Sequence, residues 1–340
     1  MDRRNFLKFS SASIAAMVAG TANILTWSPR AYAATINKTF YITEGTITQA
    51  DGVDVYFQGF SNSSNSLAVP GESMIVQEGD TVNITIINTL NSSHSFSIDG
   101  FRDSNGNTVN TGRISGGRTA SVSFVAANPG SYLYLDSRNA PYNRMMGLHG
   151  GFAVMPKNAG NRLYAGSPTF VQQHFWVFHD IDPAWNTAVR NGSTPSTPYK
   201  PRYFTINGLV GRPPGAPGAG DPSLDAMHDP RSALHGHIGD RTLIRILNPG
   251  LCQASVHTHG NHMEWLTDNG TVRPDVWLKD CLYLEGDKGK LDAIYPFESP
   301  PDAWPPVTTS TYPMHLHTEM SQTSGGGLYM FGSLTDIYFE

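Results

Sequence analysis

The segment GDTVNITIIN, residues 79–88, recurs in modified form as GDRTLIRILN, residues 239–248. Both copies begin with Gly-Asp and end with Asn, and apolar and polar residues alternate between those ends. The alternation is clearest at Val82, Ile84 and Ile86, and a period of two is typical of a half-buried β-strand. The repeat therefore predicts two copies of one β-rich unit, each built around this strand.

Each copy also closes with a comparable segment, in which a strand, a glycine-containing loop and a second strand follow one another. These segments are residues 129–156 and 311–339. With 34 Gly and 23 Pro among 340 residues and little helical periodicity, short strands joined by many turns are expected. The prediction is an all-β chain of two tandem domains, residues 34–157 and 158–340, which join near a turn-rich stretch at 157–168.

The first 33 residues have the features of a targeting segment rather than of this fold. Arg3 and Arg4 precede an apolar stretch that is too weak and too broken to span a bilayer, and AYA, ending at Ala33, is a small-residue cleavage site. The run DRRNFLK resembles a twin-arginine export signal, which predicts delivery to the periplasm and no stable membrane span. An uncleaved amphipathic anchor is the alternative.

Charge and cysteine content narrow the functional classes. The formal net charge of −5 becomes −8 once the net +3 of residues 1–33 is removed, so nucleic acid is not expected as a partner. Cys252 and Cys281 are the two cysteines of the chain. Either a disulfide in an oxidising compartment or two buried thiols would suit them, and the sequence leaves both open.

Histidine is concentrated in two short motifs, VHTHG and PMHLHTE. Residues i and i+2 of a strand point to one face about 7 Å apart, so His257 is expected beside His259 and His315 beside His317. If the two strands are neighbours, about 4.8 Å apart, four imidazoles converge on a volume that fits one transition-metal ion or a close pair. The alternative is a set of ordinary polar residues on an exposed sheet face, which two such pairs in one domain make hard to sustain.

The first half of the chain indicates that the fold itself does not require histidine at these positions. The repeat matches the Tyr-Leu-Asp of residues 134–136 with the His-Leu-His of residues 315–317. A cluster made of imidazoles suits copper, zinc, iron or nickel, and it disfavours calcium, which prefers carboxylates.

Two residues near the motifs are further candidates. Glu319 would share the face of His317 if the strand continued, as a ligand, as a partner that orients an imidazole, or as a solvated carboxylate at the rim. His262 is a candidate metal ligand, with the alternative that Gly260 bends the chain and turns the side chain away from the cluster.

Histidines elsewhere in the chain are weaker candidates. His94 follows the first repeat strand much as His257 follows the second, so it is a candidate for facing a metal across a domain or subunit boundary. His149 is flanked by glycines that permit close approach of the backbone. His174 and His179 belong to a strand-like segment, and we expect them to be satisfied core or surface residues.

Four segments together resemble the multicopper oxidases, which are built from cupredoxin domains with a Greek-key β-sandwich fold. They are residues 203–211 (YFTINGLVG), 239–250 (GDRTLIRILNPG), 256–260 (VHTHG) and 313–319 (PMHLHTE). The resemblance extends over nearly the whole chain after residue 33, in a two-domain arrangement similar to that of small laccases and copper nitrite reductases. It implies two tandem cupredoxin-like domains with copper as the cofactor, and it does not exclude zinc.

In that family, a His-x-His-Gly and a His-Cys-His of one domain supply half of a copper cluster, and the facing domain supplies the other half. Residues 256–260 match the first motif, and residues 313–319 match the second except that Leu316 replaces the cysteine. Leu135 stands at the corresponding place in the first half. The resemblance therefore implies that the type 1 blue copper centre, which needs a thiolate, is absent and that ordinary laccase activity does not follow.

Two-domain members of the family are typically trimers with active sites between subunits. A homotrimer is therefore implied here, with His94 or His149 of a neighbouring subunit as the completing ligand. The implied function is a periplasmic copper oxidoreductase that takes electrons from a small molecule, a metal ion or a redox partner. Asp99 and Glu319 are the candidates for proton relay. Two alternatives stay open: a non-catalytic copper-buffering protein, and an envelope structural protein derived from a multicopper oxidase.

Overall fold

The computed structural model describes residues 29–299, 308–322 and 331–340. The strands of the first half are β1 (Thr35–Thr48), β2 (Asp54–Ser61), β3 (Gly71–Gln77), β4 (Thr81–Asn88), β5 (Ser97–Arg102), β6 (Thr108–Asn110), β7 (Thr119–Val125), β8 (Gly130–Leu135) and β9 (His149–Met155). Those of the second half are β10 (Gln172–Ile181), β11 (Tyr203–Ile206), β12 (Leu234–Gly236), β13 (Arg241–Asn248), β14 (Ala254–Thr258), β15 (Met263–Asp268), β16 (Thr271–Lys279), β17 (Cys281–Leu284), β18 (Gly289–Pro296), β19 (Ser310–Leu316) and β20 (Leu334–Phe339). Helices are short: α1 (Tyr142–Met145), α2 (Pro183–Arg190) and a 3-10 helix (Glu319–Gln322).

The strands of the first half form a β-sandwich. One sheet has the strand order β2-β1-β4-β7, and the other has the order β3-β9-β8-β5-β6. The alternation predicted for β4 is confirmed, because Val82, Ile84 and Ile86 are fully buried and pack with Phe40 and Phe152 in the core.

The second half repeats this architecture. Its sheets have the orders β11-β10-β13-β18-β15-β16 and β12-β20-β19-β14-β17. The two repeat strands occupy matching positions, since β4 and β13 each pair in parallel with an earlier strand, β1 or β10, and antiparallel with a later one, β7 or β18. Of the residues that the structure describes, 49% are in strands and 5% in helices, which confirms the all-β prediction of two sandwiches.

The Gly-Asp pair shared by both copies of the repeat builds the turn before the strand. Gly79 and Gly239 have φ angles of 92° and 100°, a left-handed conformation that disfavours residues with a Cβ. The carboxylates of Asp80 and Asp240 each accept a hydrogen bond from the backbone N–H three residues earlier, at 2.7 and 2.8 Å. These two residues therefore recur because the turn requires them.

The Asn that ends each copy fixes the loop after the strand. The side-chain amides of Asn88 and Asn248 donate to the carbonyl oxygens of Ser92 and Cys252, both at 2.7 Å. In the second half this contact determines how the chain enters β14, the strand that carries the first histidine motif.

A buried polar network joins the two halves. Arg245 of β13 is fully buried, and its guanidinium donates to Ser131 Oγ at 2.7 Å, to Gln173 Oε1 at 2.9 Å and to Met155 Sδ at 2.8 Å. Ser131 in turn donates to the carboxylate of Asp292, which lies 3.6 Å from the guanidinium. Because Ser131 and Met155 belong to the first half and the others to the second, the network fixes how the halves are docked.

The predicted export signal falls mainly on residues 1–28, outside the described residues. Just beyond the predicted cleavage point, the backbone N–H of Ala34 donates to Oδ1 of the fully buried Asp80 at 2.8 Å. Among the described residues, no helix has both the length and the apolar character that crossing a membrane requires.

His174 in β10 departs from the expectation of a satisfied residue. It is fully buried, and neither ring nitrogen has a hydrogen-bond partner among the described residues. Burial, with a smaller contribution from His235, lowers the pKa of His174 from 6.5 to about 3. The ring is therefore neutral in the folded protein over most of the acidic range.

Acidification should weaken the fold through His174. The unfolded chain binds a proton at this side chain near pH 6.5, whereas the folded chain does not until about pH 3, so stability falls across this window. Between pH 7 and pH 5, His174→Leu should lose about 2 kcal/mol less free energy of unfolding than the wild type, measured by urea titration. His237→Leu, at an exposed position, should keep the wild-type pH dependence, and the same dependence in His174→Leu would contradict the prediction.

Candidate metal centre

Strands β14 and β19 hold the two histidine motifs side by side. They pair antiparallel, with His257 opposite His315 and Val256 opposite Leu316. Val256 and Leu316 are buried in the core of the second sandwich. Because side chains alternate along a strand, His257 and His315 project from the other, outer face of the same sheet.

Three imidazoles approach one another closely enough to share an ion. One ring nitrogen from each of His257, His259 and His315 lies within 4.8 Å of the other two. The Nε2 atoms of His259 and His315 are 3.2 Å apart, and the ring centroids of His257 and His259 are 4.4 Å apart. Nitrogens at these separations match what one ion with metal–nitrogen bonds of about 2 Å requires.

His317 extends the cluster beyond the end of β19. Its backbone N–H donates to the carbonyl oxygen of Ser255 at 2.9 Å, so the pairing with β14 continues. The exposed ring of His317 has its centroid 4.4 Å from that of His257 and 5.2 Å from that of His315. We call His257, His259, His315 and His317 the four-histidine cluster, which opens to solvent at His317.

A backbone carbonyl orients one of these rings. Nδ1 of His315 donates to the carbonyl oxygen of Leu316 at 3.2 Å. The proton is therefore on Nδ1, and the lone pair of Nε2 points toward His259. Metal-binding imidazoles in proteins are commonly held by such a hydrogen bond from the nitrogen that does not bind the metal.

The cluster favours neutral imidazole. Burial, with a smaller contribution from the neighbouring imidazoles, lowers the pKa of His257 to about 4, and Asp280 acts in the opposite direction. Burial is also the main cause that lowers the pKa values of His259 and His315. At neutral pH these three rings therefore carry free lone pairs, and neutral imidazole is the form that binds metals.

The donor set fits copper or zinc, since imidazole nitrogen suits both ions and carboxylate-preferring ions are disfavoured. Nδ1 of His257 is buried without a hydrogen-bond partner in the described ranges, and the nearest carboxylate, Asp280 Oδ2, is 3.8 Å away. A buried polar atom without a partner is unfavourable. A bound ion within this cluster would add favourable interactions that the protein alone does not supply.

The structure places the backbone of both predicted relay residues. The condition set for Glu319, that the strand continues to it, is not met, because β19 ends at Leu316 and Glu319 begins the 3-10 helix. The side chain of Glu319 is outside the described structure. Asp99 lies in β5, where its Oδ1 accepts a hydrogen bond from Nζ of Lys288 at 3.0 Å, in an ion pair between the two halves.

His94 and His149 are both buried, and the ring of His149 packs against His179 of the second half with centroids 4.6 Å apart, so neither is available to another subunit. His94 precedes β5, whereas His257, its expected counterpart, lies within β14. Nδ1 of His94 is 2.8 Å from Asp136 Oδ2, and its Nε2 is 2.8 Å from Ser92 Oγ. Nδ1 of His149 donates to the carbonyl oxygen of Arg144 at 3.0 Å, and burial lowers the pKa of His149 to about 4.

The alignment that matches residues 134–136 with residues 315–317 is shifted by one residue relative to the structure. Tyr134 is buried in the core of the first sandwich, as Leu316 is in the second, whereas Leu133 and Leu135 lie on the outer face. In the first half that face packs against Phe175 of the second half. Leucines, not Tyr and Asp, therefore occupy the face that carries histidine in the second half.

Cys281 was not among the candidate site residues predicted from the sequence. It lies on β17 directly opposite His257, and its Sγ is 3.7 Å from Nδ1 of His317. Both cysteines are free in the structure, so they are not joined as a disulfide. The alternation in CLYL, residues 281–284, placed Cys281 on one face of a strand, but no local signal identified the neighbouring strand.

Comparisons with known proteins agree with this architecture. Residues 41–159 match the family model described as multicopper oxidase. A copper-containing nitrite reductase of Alcaligenes xylosoxydans xylosoxydans is 23% identical over 272 residues, which cover 75% of each chain. A blue copper oxidase structure from Nitrosomonas europaea matches with a TM-score of 0.69 at 19% identity, over 89% of this chain and 85% of that one. A copper nitrite reductase from the same organism has a TM-score of 0.62 at 21% identity, with 90% and 94% covered.

Two sandwiches of this topology with an imidazole cluster on an outer sheet define a cupredoxin-like class of protein. The family-model match over residues 41–159 and the shared fold of these solved structures agree with the resemblance to multicopper oxidases seen in the sequence motifs.

Removal of one cluster ligand should abolish tight metal binding. His315→Ala should lower the affinity for Cu²⁺ by more than the roughly 10–100-fold that loss of an outer partner costs, as measured by calorimetric titration. His262→Ala is the matched control, because His262 is exposed beyond the end of β14. Equal Cu²⁺ affinity in His315→Ala and His262→Ala would show that the cluster is not the metal centre.

Proposed function

We propose that the chain is an exported copper-dependent oxidoreductase of the multicopper oxidase type, with its copper held only by histidine and without a type 1 centre. The observation that carries the proposal is the pairing of His257 with His315 on adjacent strands, which brings four imidazoles together on one face. Copper, when bound there, supplies one-electron redox chemistry, and the protein supplies geometry and access.

The lack of a type 1 centre is supported by the environment of Leu316. Leu316, between His315 and His317, is 3% exposed and packs in the core with Val256 and Met314. A blue copper centre needs a thiolate together with two histidines. Electrons would therefore reach the four-histidine cluster directly from the reductant, on the open side marked by His317.

The open side also indicates the size of the reductant. His317 is exposed, whereas His257 and His259 are half-buried. A small molecule or a metal ion is able to reach rings held in this way, and a redox partner would only need to approach the rim. The neutral imidazoles bind the metal, and the sheet beneath them excludes water from one side.

Export is supported by the contact between Ala34 and Asp80. Cleavage after Ala33 would convert the Ala34 nitrogen, 2.8 Å from the carboxylate, into a terminal ammonium group. A buried carboxylate is stabilised by an opposite charge at this distance. The mature N-terminus would then be anchored to the first sandwich in the periplasm.

A homotrimer is the assembly we propose, and the outer face of the sheet supports it. In the first half the corresponding face is covered by the second half, whereas the face with the cluster projects outward. Trp277 and Leu278 on β16, the strand that leads into β17, are 48% and 62% exposed, as expected where a second copy packs.

The related proteins are named for nitrite reduction and for oxidase activity, so we propose nitrite or dioxygen as the oxidant. Purified exported protein, loaded with copper, should consume one of them with phenols, ferrous ion or cuprous ion as reductant. His315→Ala should lower the rate at least about 100-fold, an effect in the range of losing one central catalytic group, while His262→Ala keeps it.

A non-catalytic copper-buffering protein is the second candidate, because a four-imidazole cluster explains copper binding without turnover. Stoichiometric copper binding that depends on His315, with neither oxygen nor nitrite consumption, would favour buffering over catalysis. Stability that does not change with copper, together with the absence of binding, would favour a structural role in the envelope.

A further inference from the structure

A cysteine on a third strand, β17, extends the row of histidines on the outer face. β14 lies between β17 and β19, with Cys281 opposite His257 on one side and His315 opposite His257 on the other. Side chains of directly paired residues lie on the same face of a sheet. Cys281, His257 and His315 therefore form one cross-strand row on the outer face.

The thiol reaches the cluster because the residue between them is small. Ser255, two residues before His257, lies opposite Tyr283 of β17, and its carbonyl accepts the backbone N–H of His317. Cys281 Sγ leans over this serine, 2.9 Å from its Oγ, and comes within 3.7 Å of Nδ1 of His317. A thiol and an imidazole thus meet across the middle strand.

We propose that Cys281, with His257 and His317, forms a second metal position beside the one bounded by His257, His259 and His315, and that its occupant is a cuprous ion. The proposal rests on the proposed function in that both use the four-histidine cluster. Thiolate and imidazole together are soft donors that favour copper in its lower oxidation state. Binding breaks the S–H bond, forms a sulfur–copper bond and releases the proton to solvent, with no change of oxidation state.

The surroundings suit a cation. Asp280 precedes Cys281, and its carboxylate lies 3.8 Å from Nδ1 of His257 with about half of the side chain exposed. His317 and Cys281 are both accessible at the rim, so an ion from solvent reaches this position before it reaches the more enclosed rings. The thiolate position would therefore be the entry point for cuprous ion, either as substrate or on its way to the inner position.

Cys252 provides a matched control within the same chain. Burial, together with the negative charge of Asp180, raises the pKa of Cys252 to about 12, so this cysteine stays a neutral thiol. It lies in the loop between β13 and β14, where its backbone N–H donates to Asp180 at 3.3 Å. A Cys→Ser change at either position has the same chemistry, but only one position is next to the cluster.

The test is an anaerobic titration of the full chain with cuprous ion against a competing chelator, in wild type, Cys281→Ser and Cys252→Ser. We expect Cys281→Ser to weaken binding at least about tenfold and Cys252→Ser to bind as the wild type does. X-ray absorption should detect a copper–sulfur bond in wild type and Cys252→Ser that is missing from Cys281→Ser. Bound cuprous ion should also protect Cys281, but not Cys252, from alkylation.

The outcomes separate this proposal from the proposed function. Wild-type cuprous binding in Cys281→Ser, or a spectrum with nitrogen ligands only, would overturn the second metal position even if Cu²⁺ binding and turnover still depend on His315. A copper–sulfur bond that disappears in Cys281→Ser would support the position even if the loaded protein shows no turnover.

Discussion

The register between β14 and β19 is the constraint on which the candidate metal centre depends. A slip of either strand by one residue would turn its own histidine, His257 or His315, into the core and expose its own apolar neighbour, Val256 or Leu316, because the side-chain period of a strand is two. Burial of Val256 and Leu316 opposes that slip. The hydrophobic core on one face of the sheet therefore holds the imidazoles in place on the other.

The two halves of the chain share one fold but carry different residues on the corresponding outer face of a sheet. In the first half, Leu133 and Leu135 make the outer face apolar. This face is buried against the second half. In the second half the same face carries imidazoles and a thiol. The hydrophobic core of the second sandwich does not include these histidines or the thiol.

Much of this was readable from the sequence, for local reasons. The Gly-Asp turn, the alternation of β4 and the two His-x-His motifs are each encoded within ten residues, so fold class and candidate ligands could be predicted. The half-buried pattern expected for β13 is wrong, because this strand is buried on both faces and its Leu247 packs against the first half. Strand neighbours are not encoded locally, which is why Cys281 was missed. The end of β19 before Glu319, and the burial of His94 beside Asp136, depend on packing that no periodic pattern expresses.

The network around Arg245 has a consequence for access. Parting the two halves would break the hydrogen bonds that Ser131 makes with the Arg245 guanidinium and with the Asp292 carboxylate, and a hydrogen bond to a charged group contributes about 1.5–3 kcal/mol. Access to the four-histidine cluster is therefore not expected to require the two halves to separate. An ion or a reductant would approach the cluster from solvent on the exposed side, at His317.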